Sequence, residues 1–116
     1  MVLLENIFST ILFSGIIFFI MALIMYNFPP KEINSLYGYR TPNSIKSQER
    51  WDFSQKYSSK LMIQIGVFMI VISFLGVVFP QLNAYKPEIE IVTILTFTFS
   101  MIAMTEYRLK KKFPNS

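Results

Sequence analysis

"IFSTILFSGIIFFIMALIMY", residues Ile7 to Tyr26, contains no charged side chain. At about 1.5 Å of rise per residue it would measure about 30 Å as a helix, the thickness of a bilayer's hydrocarbon core. Pro29-Pro30 follows, and proline cannot continue a helical hydrogen-bond ladder. The stretch has neither the basic leader nor the small-residue cleavage site of a signal peptide, so it reads as a membrane span. The whole chain agrees with that. It has 116 residues, 53% of them hydrophobic, and a mean hydropathy of +0.43, too apolar for an ordinary soluble domain of one-domain length.

Two further apolar runs lie outward from this one. Leu61 to Phe79 is uncharged and closed by Pro80. Ile91 to Thr105 is uncharged but short for a crossing, and extending it to 89–107 recruits Glu90 and Glu106, placed at headgroup level. An interfacial helix would carry charges along one face, and this segment has none there. The expected architecture is therefore an all-α, integral membrane three-helix bundle forming a single domain over 1–116. Its spans are about 7–26, 61–79 and 89–107, with a long loop at 27–60 and a short one at 81–88. Lys and Arg alternate between the two sides as three spans require. Six lie in 27–60 and four follow the third span, against one, Lys86, in the short loop and none before the first span. By the positive-inside rule the N-terminus is outside, while the long loop and the C-terminus are cytoplasmic. The net charge of +4 then serves topology and anionic lipid rather than direct nucleic-acid binding.

Composition also excludes chemistry. Cysteine and histidine are absent. No disulfide framework, Ser-His-Asp or Cys-His machine, or ordinary zinc site can be built, and no metal or cofactor is expected. No ionisable residue lies at a span centre, which speaks against a proton- or ion-coupled transporter.

The chemically diverse residues are gathered in "SLYGYRTPNS", Ser35 to Ser44. Gly38 permits a positive φ between two tyrosines, and Pro42 biases Thr41 away from helix. Tyr37 and Tyr39 are amphipathic rings suited to a membrane interface. Arg40 offers a five-donor fork for a phosphate or carboxylate, with Glu49, Asp52 and Glu106 as candidate internal partners. Downstream, Ser47 is a suitable N-cap with Glu49 in the first turn. Trp51, Ser54, Tyr57, Ser58 and Leu61 share one helical face. One long helix from Ser47 to Phe79 is expected, extending into the cytoplasmic interface. The ordinary role of such aromatic and basic residues is interface anchoring.

These residues resemble the SdpI-type immunity proteins of Gram-positive bacteria. The matching positions are Asn34, Gly38, Tyr39, Arg40, Thr41, Ser44 and Trp51, with the Pro29-Pro30 exit and the flanking spans, over roughly residues 29 to 79. Phe53-Ser54 departs from the Ala-Asn common in that pattern, and the additional spans of larger members are absent. The resemblance implies a membrane protein that protects its producer from a secreted antimicrobial peptide. In one branch it also implies sequestering a transcriptional repressor at the membrane. On this footing Tyr37, Gly38, Tyr39, Arg40, Thr41, Ser44 and Trp51 are the candidate ligand- or partner-binding residues. Arg40 is the anion anchor, Tyr39 its packing support and Trp51 the dock for the helix end.

Within the spans, Thr93, Thr96, Ser100 and Ala103 form a stripe of small and polar side chains on the third helix. Thr10, Ser14 and Gly15 on the first and Gly66, Ser73 and Gly76 on the second offer close-approach points. Bundle packing is the plain role, with Thr93, Thr96, Ser100, Gly66 and Gly76 as packing residues. Self-association into a homo-oligomer or a groove for a toxin helix is the functional one. Three functions are weighed. The first is non-enzymatic immunity by binding, with membrane lipids and a toxin peptide as partners. The second is a signalling scaffold for a cytoplasmic regulator. The third is a lipid-handling enzyme in which Arg40 clamps a phosphate. The first is preferred.

Overall fold

The structure is a computed structural model and describes residues 5–114; the outermost residues of the expected 1–116 unit, 1–4 and 115–116, lie outside it. Helix α1 runs Ser9–Asn27, α2 Gln48–Ile72, α3 Leu75–Val78, then a 3-10 helix Pro80–Tyr85, and α4 Lys86–Lys112. There is no strand among the described residues. Three segments, Ser9–Asn27, Gln48–Val78 and Pro80–Lys112, are long and apolar enough to cross a membrane. The longest dimension is 52 Å, somewhat more than the roughly 40–45 Å of a bilayer with its headgroups. The polar ends of α2 and α4 therefore extend past the hydrocarbon.

Local signals explain most boundaries. Phe28 caps α1 just before Pro29-Pro30, its amide donating to the Ile24 carbonyl at 2.7 Å. Ser47 caps α2, its hydroxyl accepting from the Arg50 amide at 3.2 Å, with Glu49 in the first turn. Pro87 sits in the first turn of α4, where its missing N–H costs nothing, and Lys110, Lys111 and Lys112 occupy the last turn, where the helix dipole favours cations.

One expectation is corrected. The second helix is not continuous from Ser47 to Phe79; it breaks at Ser73 and Phe74. The Ser73 carbonyl accepts from the Phe8 amide at 2.9 Å, and Val77 then bonds back only as far as Phe74, at 3.0 Å. A contact with the chain before α1 thus replaces one turn of the helical ladder.

Helices α1 and α2 form the tight pair. A Cβ on Gly66 would lie 2.9 Å from the Gly15 carbonyl oxygen, and one on Gly15 would lie 3.0 Å from that of Gly66, so neither position admits a side chain without moving backbone. Small residues let the backbones approach, which is how helices associate where no water drives them together. Phe8, Ile11, Met25, Ile65 and Met69 fill the seam, with Tyr39 and Met101 completing the core. Gly76 likewise lies against the Asn6 carbonyl.

Helix α4 packs chiefly on α2 and touches α1 little. The side it buries is Glu90, Met101, Thr105 and Leu109, with Ile94 and Phe97 packed on the core. This corrects the expected packing stripe: Thr96 and Ala103 are exposed, and Thr93 and Ser100 only half-buried. The larger apolar side chains about 100° further round, Ile94, Phe97 and Met101, carry the contact instead. The buried hydroxyls bond locally. Ser54, Ser58, Ser59, Ser73 and Thr105 donate to carbonyls three or four residues back in the chain rather than across an interface.

Candidate functional site

The 28–47 loop folds against the end of the bundle where α2 begins and α4 ends. Its first anchor is Asn34, whose side-chain oxygen accepts from the amides of Leu36 at 2.9 Å and Tyr37 at 2.7 Å. This is the local turn that a short amide side chain makes with its own backbone. Tyr37 then reaches back to donate its hydroxyl to the Phe28 carbonyl at 2.6 Å. At Gly38 the chain turns with φ of 105°, and a Cβ there would strike the Gln55 amide and the Pro30 ring.

Tyr39 is the centre of the arrangement. Its amide donates to Gln55 Oε1 at 2.7 Å, and its carbonyl accepts from Gln55 Nε2 at 2.6 Å. The glutamine side chain thus pairs with the loop backbone as a neighbouring strand would. The Tyr39 hydroxyl donates to Glu106 Oε1 at 3.0 Å, and Asn43 Nδ2 donates to Glu106 Oε2 at 3.1 Å. One carboxylate on α4 holds two loop residues. Thr41 and Ser44 close the following turn, the Thr41 amide donating to Ser44 Oγ at 2.8 Å and the Ser44 amide to Thr41 Oγ1 at 3.2 Å. Trp51 is fully buried and donates its indole N–H to the Pro30 carbonyl at 2.7 Å, pinning the start of the loop to α2.

Arg40 differs from its neighbours. It is exposed, and among the described residues it forms no hydrogen bond or ion pair, with Glu49, Asp52, Glu106 or any other group. The expected support of Arg40 by Tyr39 is corrected: Tyr39 is buried and turned toward Glu106, while Arg40 faces outward. A second arginine, Arg50, is the buried one. It donates to the Phe113 carbonyl at 3.3 Å with its guanidinium 5.1 Å from the Phe113 ring centroid, and so closes the end of α4. Arg50, Gln55, Asn43 and Glu106 were not among the expected site residues. Gln55 stands four residues after Trp51 and three before Ser58, so the helical period that marked that face contains it.

Burial, and then the Glu106 carboxylate, push the Tyr39 phenol above its ordinary value of about 10. The shift makes a pH prediction. A phenol whose pKa is raised on folding stabilises the fold below its unfolded pKa, and that contribution is lost as pH rises through the folded value. Absorbance titration in detergent should show one of the six tyrosines failing to ionise near pH 10, and Tyr39→Phe should remove that laggard. Ordinary titration of all six would contradict the buried Tyr39–Glu106 contact.

Residues 31–105 match the SdpI/YfhL protein family. The chain belongs to this family. It is also 34% identical over 99 residues to an uncharacterized protein, YfhL, of Bacillus subtilis (strain 168), covering 85% of this chain and 84% of that one. No solved structure matches the chain. In this SdpI/YfhL member the matched segment contains the anchoring residues Asn34 through Gln55, while their partners Phe28, Pro30 and Glu106 fall just outside it. The family resemblance in the sequence lay on Asn34, Gly38, Tyr39, Arg40, Thr41, Ser44 and Trp51. All of these except Arg40 help to position the loop, and Arg40 is presented outward at its centre.

Proposed function

We propose that this chain is a multi-pass protein of the cell membrane that protects its producer from a secreted antimicrobial peptide. It acts by binding, without catalysis. Family membership supports the reading. The observation that carries it is the contrast at the centre of the loop: the Tyr39 backbone and side chain are fixed from the inside by Gln55 and Glu106, and the next residue, Arg40, is held out from that fixed point with its donors uncommitted. The backbone that carries this cation is already ordered, so only the Arg40 side chain has to be immobilised on meeting an anion, and that favours recognition. The basic loop and the basic end of α4 lie together, which supports an orientation with that end in the cytoplasm.

Expression in a sensitive bacterium tests this. Wild type should raise survival against a cognate membrane-active peptide. Arg40→Ala, at matched membrane level, should raise the protein dose needed by roughly 10–100-fold, the loss of one charge-assisted contact of about 1.5–3 kcal/mol. No gain in survival from well-inserted wild type, across a broad panel of secreted peptides, would refute the immunity reading.

A further inference from the structure

Between α1 and α4, beneath the 36–41 segment, lies a groove of about 480 Å³. Phe18 and Met21 of α1, Met62 of α2, and Met101 and Ile102 of α4 line it, and Arg40 stands on its rim. Two features create it. Helix α4 is carried mainly by α2 and is hydrogen-bonded to α1 near the start of α1, through Glu90, and at the other end the loop, tied down by Gln55 and Glu106, roofs the gap between α1 and α4. The walls are apolar and rich in methionine, a side chain that adapts its shape to what it touches. The loop end carries a positive charge. The nearby Glu106 carboxylate accepts from Tyr39 and Asn43 and forms no ion pair with Arg40.

An occupant that matches this groove joins an oxyanion to a hydrocarbon chain. The groove opens beside the exposed apolar faces of α1 and α4, at Ile17, Met21 and Ile102, where a lipid of the surrounding leaflet is the molecule of that kind in reach. The geometry points to a bound phospholipid of the leaflet at the basic end. Its phosphodiester meets the Arg40 fork, whose planar donors suit phosphate oxygens, and one acyl chain lies along Met21, Met62 and Met101. This inference needs only residence in a membrane and stands apart from the immunity reading.

The test uses the full chain in phosphatidylglycerol liposomes containing a trace of the same lipid with a photoreactive acyl chain. Cross-links mapped by mass spectrometry should concentrate on Met21, Met62, Met101 and Ile102. They should be sparse on Phe13, Val67 and Val71, which are exposed on the helices but lie outside the groove. Arg40→Ala should lower labelling of the groove roughly tenfold, as loss of one charge-assisted contact requires, and Arg40→Lys should retain part of it. Ile17→Trp, at an exposed position on the groove wall, should lower it with the cation intact. Even labelling around all three helices, or groove labelling indifferent to both Arg40→Ala and Ile17→Trp, would overturn the proposal. So would labelling of these residues by a photoreactive membrane-active helical peptide while the lipid leaves them unlabelled.

Discussion

Gln55→Ala should release the loop while leaving the helices in place. In the native protein one side-chain amide satisfies both the N–H and the C=O of Tyr39, at 2.7 and 2.6 Å, and Gln55 is almost wholly buried. Truncation leaves two backbone groups without partners in a buried place. Each orphan costs about 1–3 kcal/mol, so the change should weaken the docked loop by about 2–6 kcal/mol. That is a large share of the roughly 5–15 kcal/mol that holds a typical domain together. The α1–α2 seam at Gly15 and Gly66 does not involve Gln55, so helical content should survive. Limited proteolysis should show new cleavage between 31 and 46, and hydrogen exchange should show the Tyr39 amide losing protection. Gln55→Glu sharpens the test. It keeps an acceptor for the Tyr39 amide but sets a carboxylate against the Tyr39 carbonyl, so it should restore protection of the amide only in part. Unchanged proteolysis in Gln55→Ala would mean that Glu106 and Trp51 suffice to hold the loop.

The features legible in the sequence are those decided within a few residues. The uncharged run at Ile7 to Tyr26 became α1, which begins two residues later, at Ser9. Ser47 was recognisable as a cap and Gly38 as a positive-φ position, because each depends on its own backbone. Trp51 marked a buried face through helical spacing alone. The remainder depends on partners far away in the chain. The break at Ser73 needs an amide from before α1. Glu106 was visible as a charge near the end of a span, but its hold on Tyr39 bridges 67 residues and that on Asn43 bridges 63. The stripe of Thr93, Thr96 and Ser100 obeyed the rule for close helix packing, yet α4 turns a different side inward. Small polar residues permit close approach without compelling it, and Met101 and Phe97 bring more apolar surface to the contact.

Glu90→Ala should unseat the start of α1. Glu90 lies in α4, yet its Oε2 accepts from the amides of Thr10 at 2.6 Å and Ile11 at 3.1 Å, and the residue is buried. These are among the first amides of α1, which have no partner within the helix, and the local chain supplies none, for Phe8 stands at the N-cap with no side chain able to accept. The carboxylate does the work of an N-cap from a residue 80 positions away, and its charge meets the positive end of the helix dipole. Removing it orphans two amides that were bonded to a charged group, an expected loss of about 3–6 kcal/mol if both stay unpaired and nearer 2 kcal/mol if α1 frays and lets water in. Thermal unfolding in detergent should show the drop, and hydrogen exchange should place it at residues 9–11 rather than along the whole of α1. Glu90→Gln separates the two contributions. Both native bonds fall on a single oxygen, so an amide oxygen in the same place can accept both. What Gln lacks is the charge, worth about 0.3–2 kcal/mol against the dipole. The glutamine variant should therefore recover more than half of the loss. If it is as unstable as alanine, charge rather than hydrogen bonding holds α4 to the start of α1; if alanine matches wild type, the capping contact does not stabilise the fold.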